Sequence, residues 1–310
     1  MNTFVFQCLR CFHDVCLECK RYFSIIRFLK FASYTLLCGY LSFILPSCAT
    51  IKSLTSKPPE RQTVQISQEE LNTFVATLSQ LNHGLVTFKG TGKLTISSQG
   101  SVRSFRMAWM GENPETVCVG SDGDKASLKK LRVELIAPYG KPAMSFSYDG
   151  EWIYLYSHNE RSFIQKHPEE FDISYLFDIP ISISDLICLL SGRPPLKYPE
   201  DAEIDVKRDE EEGLSKGPYL VFKKGFLSGW DTVHMTPDNS GFDMVERYDF
   251  KGSLKFRATL ENLRKKGGFL LPYRITVSEK DGNALFLETT RYFPNAGVNE
   301  ESFVIKPPAY

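Results

Sequence analysis

The chain has 310 residues, and its 37 basic and 37 acidic residues give a formal net charge of zero. This balance does not supply the concentrated basic face of a nucleic-acid-binding protein, so we exclude a nucleic-acid partner. A chain of this length buries a core large enough to fold without disulfides. Six of its eight cysteines lie at or before position 48. We expect the other two, Cys118 and Cys188, to be buried thiols, with a disulfide between them as the alternative.

The N-terminal segment has the pattern of a secretory signal. Arg21, Arg27 and Lys30 form a basic lead, and the stretch 31–46 that follows is almost wholly apolar. A basic lead before a short apolar run is typical of a signal peptide. Serines and a proline interrupt the run, which favours a signal over a permanent transmembrane helix.

The tetrad Leu45-Pro46-Ser47-Cys48 ends this segment. It resembles the lipobox of bacterial lipoproteins, in which the cysteine is acylated and becomes the first mature residue. We therefore predict that residues 1–47 are a signal peptide and that Cys48 carries lipid. An ordinary cleaved signal or an uncleaved anchor is the alternative. Ala49 is not the aspartate that typically retains lipoproteins on the inner membrane, so in a diderm host we expect the periplasmic face of the outer membrane.

Two closely spaced cysteine pairs, Cys8 with Cys11 and Cys16 with Cys19, precede the signal. Four thiolates can hold a zinc ion, but zinc-binding pairs are usually a dozen or more residues apart, and only four residues separate these. We expect no metal site in this chain, and no cofactor other than the covalent lipid on Cys48.

Residues 48–65 are predicted to be the lipidated cysteine and a polar tether. Residues 66–310 are predicted to form one domain with an insertion near 196–217, whose acidic stretch 200–212 is expected to be solvated. A helix is predicted from Ser67, because Glu70 can complete a capping box. Apolar residues then recur at helical spacing, namely Leu71, Phe74, Val75, Leu78 and Leu81.

Most of the domain has the period-two alternation of β-strands. Strands are predicted at 86–96, 104–110, 116–119, 131–136, 143–148 and 152–156, and again at 219–222, 231–235, 243–250, 253–259, 273–278 and 284–293. Two helices are predicted between these sets, at 168–177 and from Ser182 to Leu190. The fold class is therefore α+β: a curved, half-closed antiparallel sheet, or incomplete barrel, covered by about three helices.

The sequence contains no catalytic motif of a familiar kind. It has no His-Glu-x-x-His, no Gly-x-Ser-x-Gly and no phosphate loop. A lone Ser-x-x-Lys at Ser127 has no partner motif, and the four histidines of the domain show no metal-ligand spacing. We therefore expect a protein that is not an enzyme.

The order of several segments resembles the LolB family of outer-membrane lipoprotein receptors, and more broadly the LolA/LolB-like fold. These segments are Phe88–Leu94, Phe105–Trp109, Leu131–Gly140, Ile179–Ile181, Leu190–Pro195 and Leu271–Ile275. The resemblance implies an apolar cavity between the sheet and a helical lid. In that family the cavity accepts acyl chains of client lipoproteins from a periplasmic carrier and passes them to the outer membrane.

A bare sixteen-carbon chain in water costs on the order of 12 kcal/mol, at about 0.8 kcal/mol per methylene, so its carrier must enclose it. The residues expected to line the cavity are the large apolar ones of the sheet and the second central helix, with a filled core as the alternative: Trp109, Phe146, Tyr148, Trp152, Leu186 and Leu190.

The resemblance also implies a protruding loop with an exposed apolar residue that engages the membrane. The corresponding loop here is Pro138-Tyr139-Gly140, in which Pro138 cannot donate to a ladder and Gly140 permits a reversal. Tyr139 replaces the leucine of the family, and an exposed tyrosine suits a bilayer interface. A tyrosine folded back on the sheet edge is the alternative.

The expected function is that of an outer-membrane lipoprotein that binds acyl chains and helps to insert client lipoproteins into the outer membrane. Its expected partners are client lipoproteins, a periplasmic carrier and membrane lipid, and we expect a monomer. The alternative is a non-catalytic envelope lipoprotein that uses the same fold for sensing, protein interaction or structural support.

Overall fold

One antiparallel β-sheet dominates the computed structural model, which describes residues 67–113, 129–170, 174–177, 179–196, 203–207, 217–223 and 229–306. The strands are β1 (Thr87–Ser98), β2 (Ser101–Glu112), β3 (Lys130–Ile136), β4 (Pro142–Tyr148), β5 (Ile153–Ser157), β6 (Ser162–Lys166), β7 (Glu203–Lys207), β8 (Tyr219–Lys223), β9 (Trp230–Met235), β10 (Phe242–Tyr248), β11 (Leu254–Lys266), β12 (Phe269–Ser278) and β13 (Ala284–Pro294). Their spatial order is β6-β5-β4-β3-β2-β1-β13-β12-β11-β10-β9-β8-β7. Because β6 and β7 form the two outer edges, the sheet is open.

Three α-helices accompany the sheet in the described residues: α1 (Gln68–Gln80), α2 (Ser174–Phe177) and α3 (Ile183–Leu190). α2 is a single turn, and short 3-10 helices lie at Pro168–Glu170 and Glu300–Phe303. Both longer helices begin at serines, because Ser67 Oγ accepts a hydrogen bond from the Glu70 amide and Ser182 forms a complete capping box with Asp185. No helix in this part of the chain is long and apolar enough to cross a membrane.

Each predicted strand within the described residues overlaps an observed one, but β11 extends to Lys266 and β12 begins at Phe269, beyond the predicted 253–259 and 273–278. The other differences lie at the outer edges of the sheet and at the predicted strand 116–119. β6 was not predicted, and the stretch 200–212, predicted as a solvated insertion, contains β7. Ile204 and Val206 of β7 pair with Phe222 and Leu220 of β8, while the intervening Asp205 binds Lys223 at 2.8 Å. Apolar and charged residues therefore alternate with period two in this edge strand, although its charge suggests a solvated segment. The predicted signal, Cys48, the tether and the strand at 116–119 lie outside the described residues.

Cys188 differs from its predicted state. It lies buried in α3 and is disulfide-bonded. The prediction of a buried free thiol is therefore wrong for this residue, because burial among apolar neighbours suits a disulfide as well as it suits a thiol.

The antiparallel order places the hairpin turns at two opposite ends of the sheet. We call the upper end the one at which β1, β3, β10 and β12 finish; it contains the turns at 99–100, 137–141, 249–253 and 279–283. The lower end contains the turns at 149–152, 236–241 and 267–268. One face of the sheet packs against α1 and α3, and the apolar core lies between them.

Candidate functional site

An apolar cavity lies between the sheet and the helices α2 and α3, with a volume of about 40 Å³. β4 and β12, which both contribute to it, are five strand positions apart, about 24 Å in a flat sheet. The sheet must therefore curve around the cavity. The side chains that line it are all apolar: Leu94, Met107, Val133, Met144, Phe146, Phe177, Leu186, Leu190, Ile275, Val277, Leu285 and Leu287.

The volume of the cavity limits the size of what it can hold in this conformation. A space of about 40 Å³ accommodates a few water molecules, whereas an engineered cavity that binds benzene measures about 150 Å³ and ligand pockets start near about 300 Å³. An acyl chain does not fit. Phe177, Leu186 and Leu190 enter from the helical side, so an outward movement of this side would enlarge the space. We call α2, α3 and the segment to Leu196 the lid.

The cavity lies in the upper half of the sheet. Its lining residues Val277 and Leu285 are next to the last residue of β12 and the first of β13, and these two residues pair across the strands. Leu94 is in the upper half of β1, where it pairs with Leu287. The cavity therefore lies toward the upper end.

Three aromatic rings fill the lower half instead. Trp109 and Phe88 both pack against Tyr292, with ring centroids 6.5 and 6.2 Å apart. Gly90 pairs with Trp109 across β1 and β2, and Gly111 pairs with Phe88, so each ring lies over a residue that has no side chain. The hydroxyl of Tyr292 donates to the carbonyl of Leu190 at 2.9 Å, and burial raises the pKa of this phenol.

The residues predicted to line the cavity divide into two groups. Phe146, Leu186 and Leu190 lie in the lining, whereas Trp109, Tyr148 and Trp152 do not. Trp109 belongs to the aromatic cluster of the lower half. Tyr148 is the last residue of β4, and its hydroxyl donates to the carbonyl of Gly150 in the lower turn. Trp152 lies in that same turn, with its ring 4.0 Å from that of His167.

A buried ionic cluster fastens the N-terminal end of α3 to the sheet. Arg247 of β10 donates to Asp185 at 2.7 Å, to Asp231 of β9 at 2.9 Å and to the carbonyl of Pro195 at 2.8 Å. Both aspartates are almost fully buried. Burial alone would lower the pKa of Arg247, but the two carboxylates outweigh it and raise this pKa. The guanidinium therefore stays charged and joins three segments of the chain.

A second polar cluster fastens the other end of α3. The side chain of Asn82 donates to the carbonyls of Ser191 and Leu270 and accepts from the Leu270 amide, at 2.8 to 2.9 Å. The buried guanidinium of Arg193 donates to the carbonyls of Asn82 and Leu85. The end of α3 is therefore tied to β12 and to the segment after α1.

The predicted site omitted most of the lining residues and all of these fastening contacts. Four of the nine omitted lining residues are aliphatic pairs at period two, Ile275 with Val277 and Leu285 with Leu287, and the sequence shows that alternation. Asp185 could be predicted as a capping residue. Its partner Arg247 lies 62 positions away, and no local pattern indicates that pair.

The loop at 137–141 is a tight turn at the upper end. The Gly140 amide donates to the carbonyl of Ala137 at 2.9 Å, and the Ala137 amide donates to that of Lys141 at the same distance. Gly140 has a φ of 82°, which favours glycine. The side chain of Tyr139 is 95% exposed. It is therefore held in solvent and not folded back on the sheet edge.

No family model matches the sequence, and none of the curated proteins matches it. Solved structures do. A domain from Vibrio parahaemolyticus named for outer membrane lipoprotein sorting superposes with a TM-score of 0.52 and 14% identity, over 76% of this chain and 94% of that one. A DUF1329 family protein from Desulfovibrio piger gives a TM-score of 0.53 and 11% identity, over 76% and 96%. The chain therefore shares their fold. This finding supports the LolA/LolB-like fold but not the LolB family itself.

Proposed function

We propose that this protein is a lipid-anchored envelope lipoprotein that encloses an acyl chain of a client lipoprotein between its sheet and its lid and releases it at the outer membrane. The observation that carries the proposal is the cavity, whose lining contains no polar side chain and whose wall opposite the sheet is the lid. Such a site offers nothing to a polar ligand, whose burial without hydrogen bonds is unfavourable. It suits a hydrocarbon chain.

The polar contacts of the lid support a movable cover. Clusters around Arg247 and Asn82 hold the two ends of α3, while Leu186 and Leu190 meet the cavity. Between the ends, Lys129 donates to Ser184 and Cys188, and Cys188 is disulfide-bonded. A displacement of the lid that keeps this disulfide has to break hydrogen bonds of the two end clusters. The apolar faces it exposes are then covered by the incoming chain, which offsets the loss of burial.

The size of the cavity favours a second candidate, a structural or protein-binding lipoprotein with a filled core. A volume of about 40 Å³ is compatible with a lid that stays closed. The two candidates differ in one property, since only the first takes up lipid.

Val133→Phe tests the proposal, because a larger side chain in the cavity wall leaves no path for an acyl chain. We expect the variant to lose uptake of a fluorescent fatty acid while it keeps the circular dichroism spectrum of the parent. Val86→Phe is the matched control, since Val86 is exposed at the lower end of the sheet. Lipid extracted from the purified parent chain, identified by mass spectrometry, gives a second measurement. A parent chain that neither carries lipid nor takes up fatty acid would leave the filled-core candidate.

A further inference from the structure

The most exposed apolar side chains of the described residues all lie at one end of the sheet. Tyr139, Val102 and Phe250 are 95, 67 and 56% exposed, and they lie in or beside the turns of three upper hairpins, β3–β4, β1–β2 and β10–β11. Single exposed apolar residues are common on protein surfaces. Three such residues on separate hairpins at the same end of the sheet form a group and are not scattered over the surface.

Hydrogen bonds within the turn that contains Phe250 hold it in one conformation. The carboxylate of Asp249 accepts hydrogen bonds from the amides of Lys251 and Ser253, both at 2.9 Å, and the Gly252 amide donates to the carbonyl of Asp249 at 3.0 Å. Trp230 and Tyr248 stack at the base of this hairpin with ring centroids 5.2 Å apart. An exposed ring on a rigid turn loses little conformational freedom when it is buried by a partner.

Basic side chains lie near two of these apolar tips. Lys251 follows Phe250 and lies over its ring, Asp249 precedes it, and Lys255 is exposed near the start of β11. Lys141 follows Tyr139, and the guanidinium of Arg106 lies beside Gly140. The lower end has an open cleft lined by four carboxylate residues and one lysine: Asp149, Glu151, Glu300, Glu301 and Lys130. Basic residues next to exposed aromatic rings are typical of segments that contact anionic lipid surfaces.

The upper end is also the end toward which the cavity lies. Val277 and Leu285 of its lining are next to the turn at 279–283. A chain that leaves the cavity at this end has a short path to whatever surface these hairpin tips touch.

We propose that the hairpin tip at 249–253, with Val102, joins the Tyr139 loop in a three-point contact with a bilayer that contains anionic lipid. This inference rests on the proposed function, since it names the surface at which the protein releases an acyl chain. Contact at three separate tips would fix the orientation of the protein on the bilayer, whereas contact at a single loop would not. Phe250 and Tyr139 enter the interface and the neighbouring basic side chains remain among the headgroups.

Photo-crosslinking of the full chain tests the contact directly. Two variants carry the crosslinker p-benzoylphenylalanine, one in place of Phe250 and one in place of Tyr139. Each is reconstituted into vesicles of phosphatidylethanolamine and phosphatidylglycerol and irradiated. Lipid adducts are then identified by mass spectrometry. Phe293 is the matched control. It is 45% exposed at the lower end and has Lys266 over its ring, as Phe250 has Lys251. We expect adducts at 250 and 139 and none above the unirradiated background at 293.

A paired charge change tests the lipid chemistry. Lys251→Glu with Lys255→Glu, in the chain that carries the crosslinker at 250, is expected to lower the adduct yield in vesicles with phosphatidylglycerol and to leave it unchanged in vesicles without it. Absence of lipid adducts at 250, equal yields at 250 and 293, or adducts to protein alone would overturn the inference. Because no client lipoprotein or fatty acid uptake enters this experiment, its failure is distinguishable from failure of the acyl-binding function.

Discussion

Gly90 and Gly111 determine where large rings fit in the interior. An alanine Cβ at position 90 would lie 2.1 Å from Cζ2 of Trp109, and one at position 111 would lie 2.4 Å from Cζ of Phe88. Both distances are far below van der Waals contact, so neither ring could keep its place. These glycines let the lower half of the sheet be filled by aromatic side chains, while smaller aliphatic residues leave the cavity in the upper half.

Gly90→Ala should therefore lower the free energy of unfolding. Overpacking of a well-packed core typically costs about 1–3 kcal/mol, against a gain of about 0.4–1 kcal/mol from the reduced freedom of the unfolded chain. The net effect expected from urea denaturation is a loss of up to about 2.6 kcal/mol, the largest difference between these two terms.

A double-mutant cycle identifies the cause of that loss. In a Trp109→Leu background the obstacle is gone, so Gly90→Ala should become neutral or stabilising. Gly297→Ala is the matched control, because an added Cβ there meets nothing within 4 Å. An equal loss at position 90 with and without the indole would show that Trp109 is not the obstacle.

At the scale of elements, the lid depends on an ionic cluster that the local sequence does not indicate. Arg247 neutralises two buried carboxylates, one in α3 and one in β9, and also holds the segment after α3 through the carbonyl of Pro195. Removal of one member of such a buried group leaves charge without a partner, which is usually more destabilising than loss of a whole pair.

Arg247→Met is expected to loosen the lid before the rest of the fold. Loss of one partner from a buried ion pair costs about 3–5 kcal/mol, and most of this should appear as faster hydrogen exchange at the amides of 186–193, with exchange in β12 and β13 unchanged. Asp185→Asn should have a smaller effect in the same segment, since its amide oxygen can still accept from the Ser182 amide.

Arg274→Met is the control for that experiment. Arg274 also contacts two carboxylates, those of Glu261 and Glu288, but its side chain is 53% exposed. Exposed pairs contribute about 0–1 kcal/mol. Equal exchange in the two variants would mean that the Arg247 cluster does not hold the lid closed.

At the scale of the whole molecule, the two ends of the sheet have different characters. The lower half is filled by rings and the lower end borders a cleft lined mostly by carboxylates, whereas the upper end has the cavity and the three most exposed apolar tips. The lipid anchor predicted at Cys48 would be compatible with an upper end that contacts a membrane. Seventeen residues lie between Cys48 and Ile66, a reach of at most about 60 Å when extended.

The fold was more predictable from the sequence than the site. Strands such as β3 show clean alternation, and Ser67 and Ser182 cap the helices they were predicted to begin. These signals are local. The cavity depends on which apolar side chains leave space between distant strands, and the prediction selected aromatic residues because they are large. Large rings fill space, so Trp109 occupies a part of the interior that the sequence predicts to be cavity.

We predict that Cys48 anchors the protein, because the lipobox-like tetrad indicates its acylation after cleavage at Ser47. Cys48→Ala should abolish incorporation of labelled fatty acid and release the protein from the outer-membrane fraction, or leave it uncleaved, because stable residence requires the two or three acyl chains of a lipoprotein cysteine. Cys38→Ala is the matched control. It changes a cysteine of the same apolar segment that lies upstream of the expected cleavage point, so it should leave labelling and fractionation unaltered. Labelling that survives in Cys48→Ala would mean that another residue carries the lipid and that the mature chain does not start at position 48.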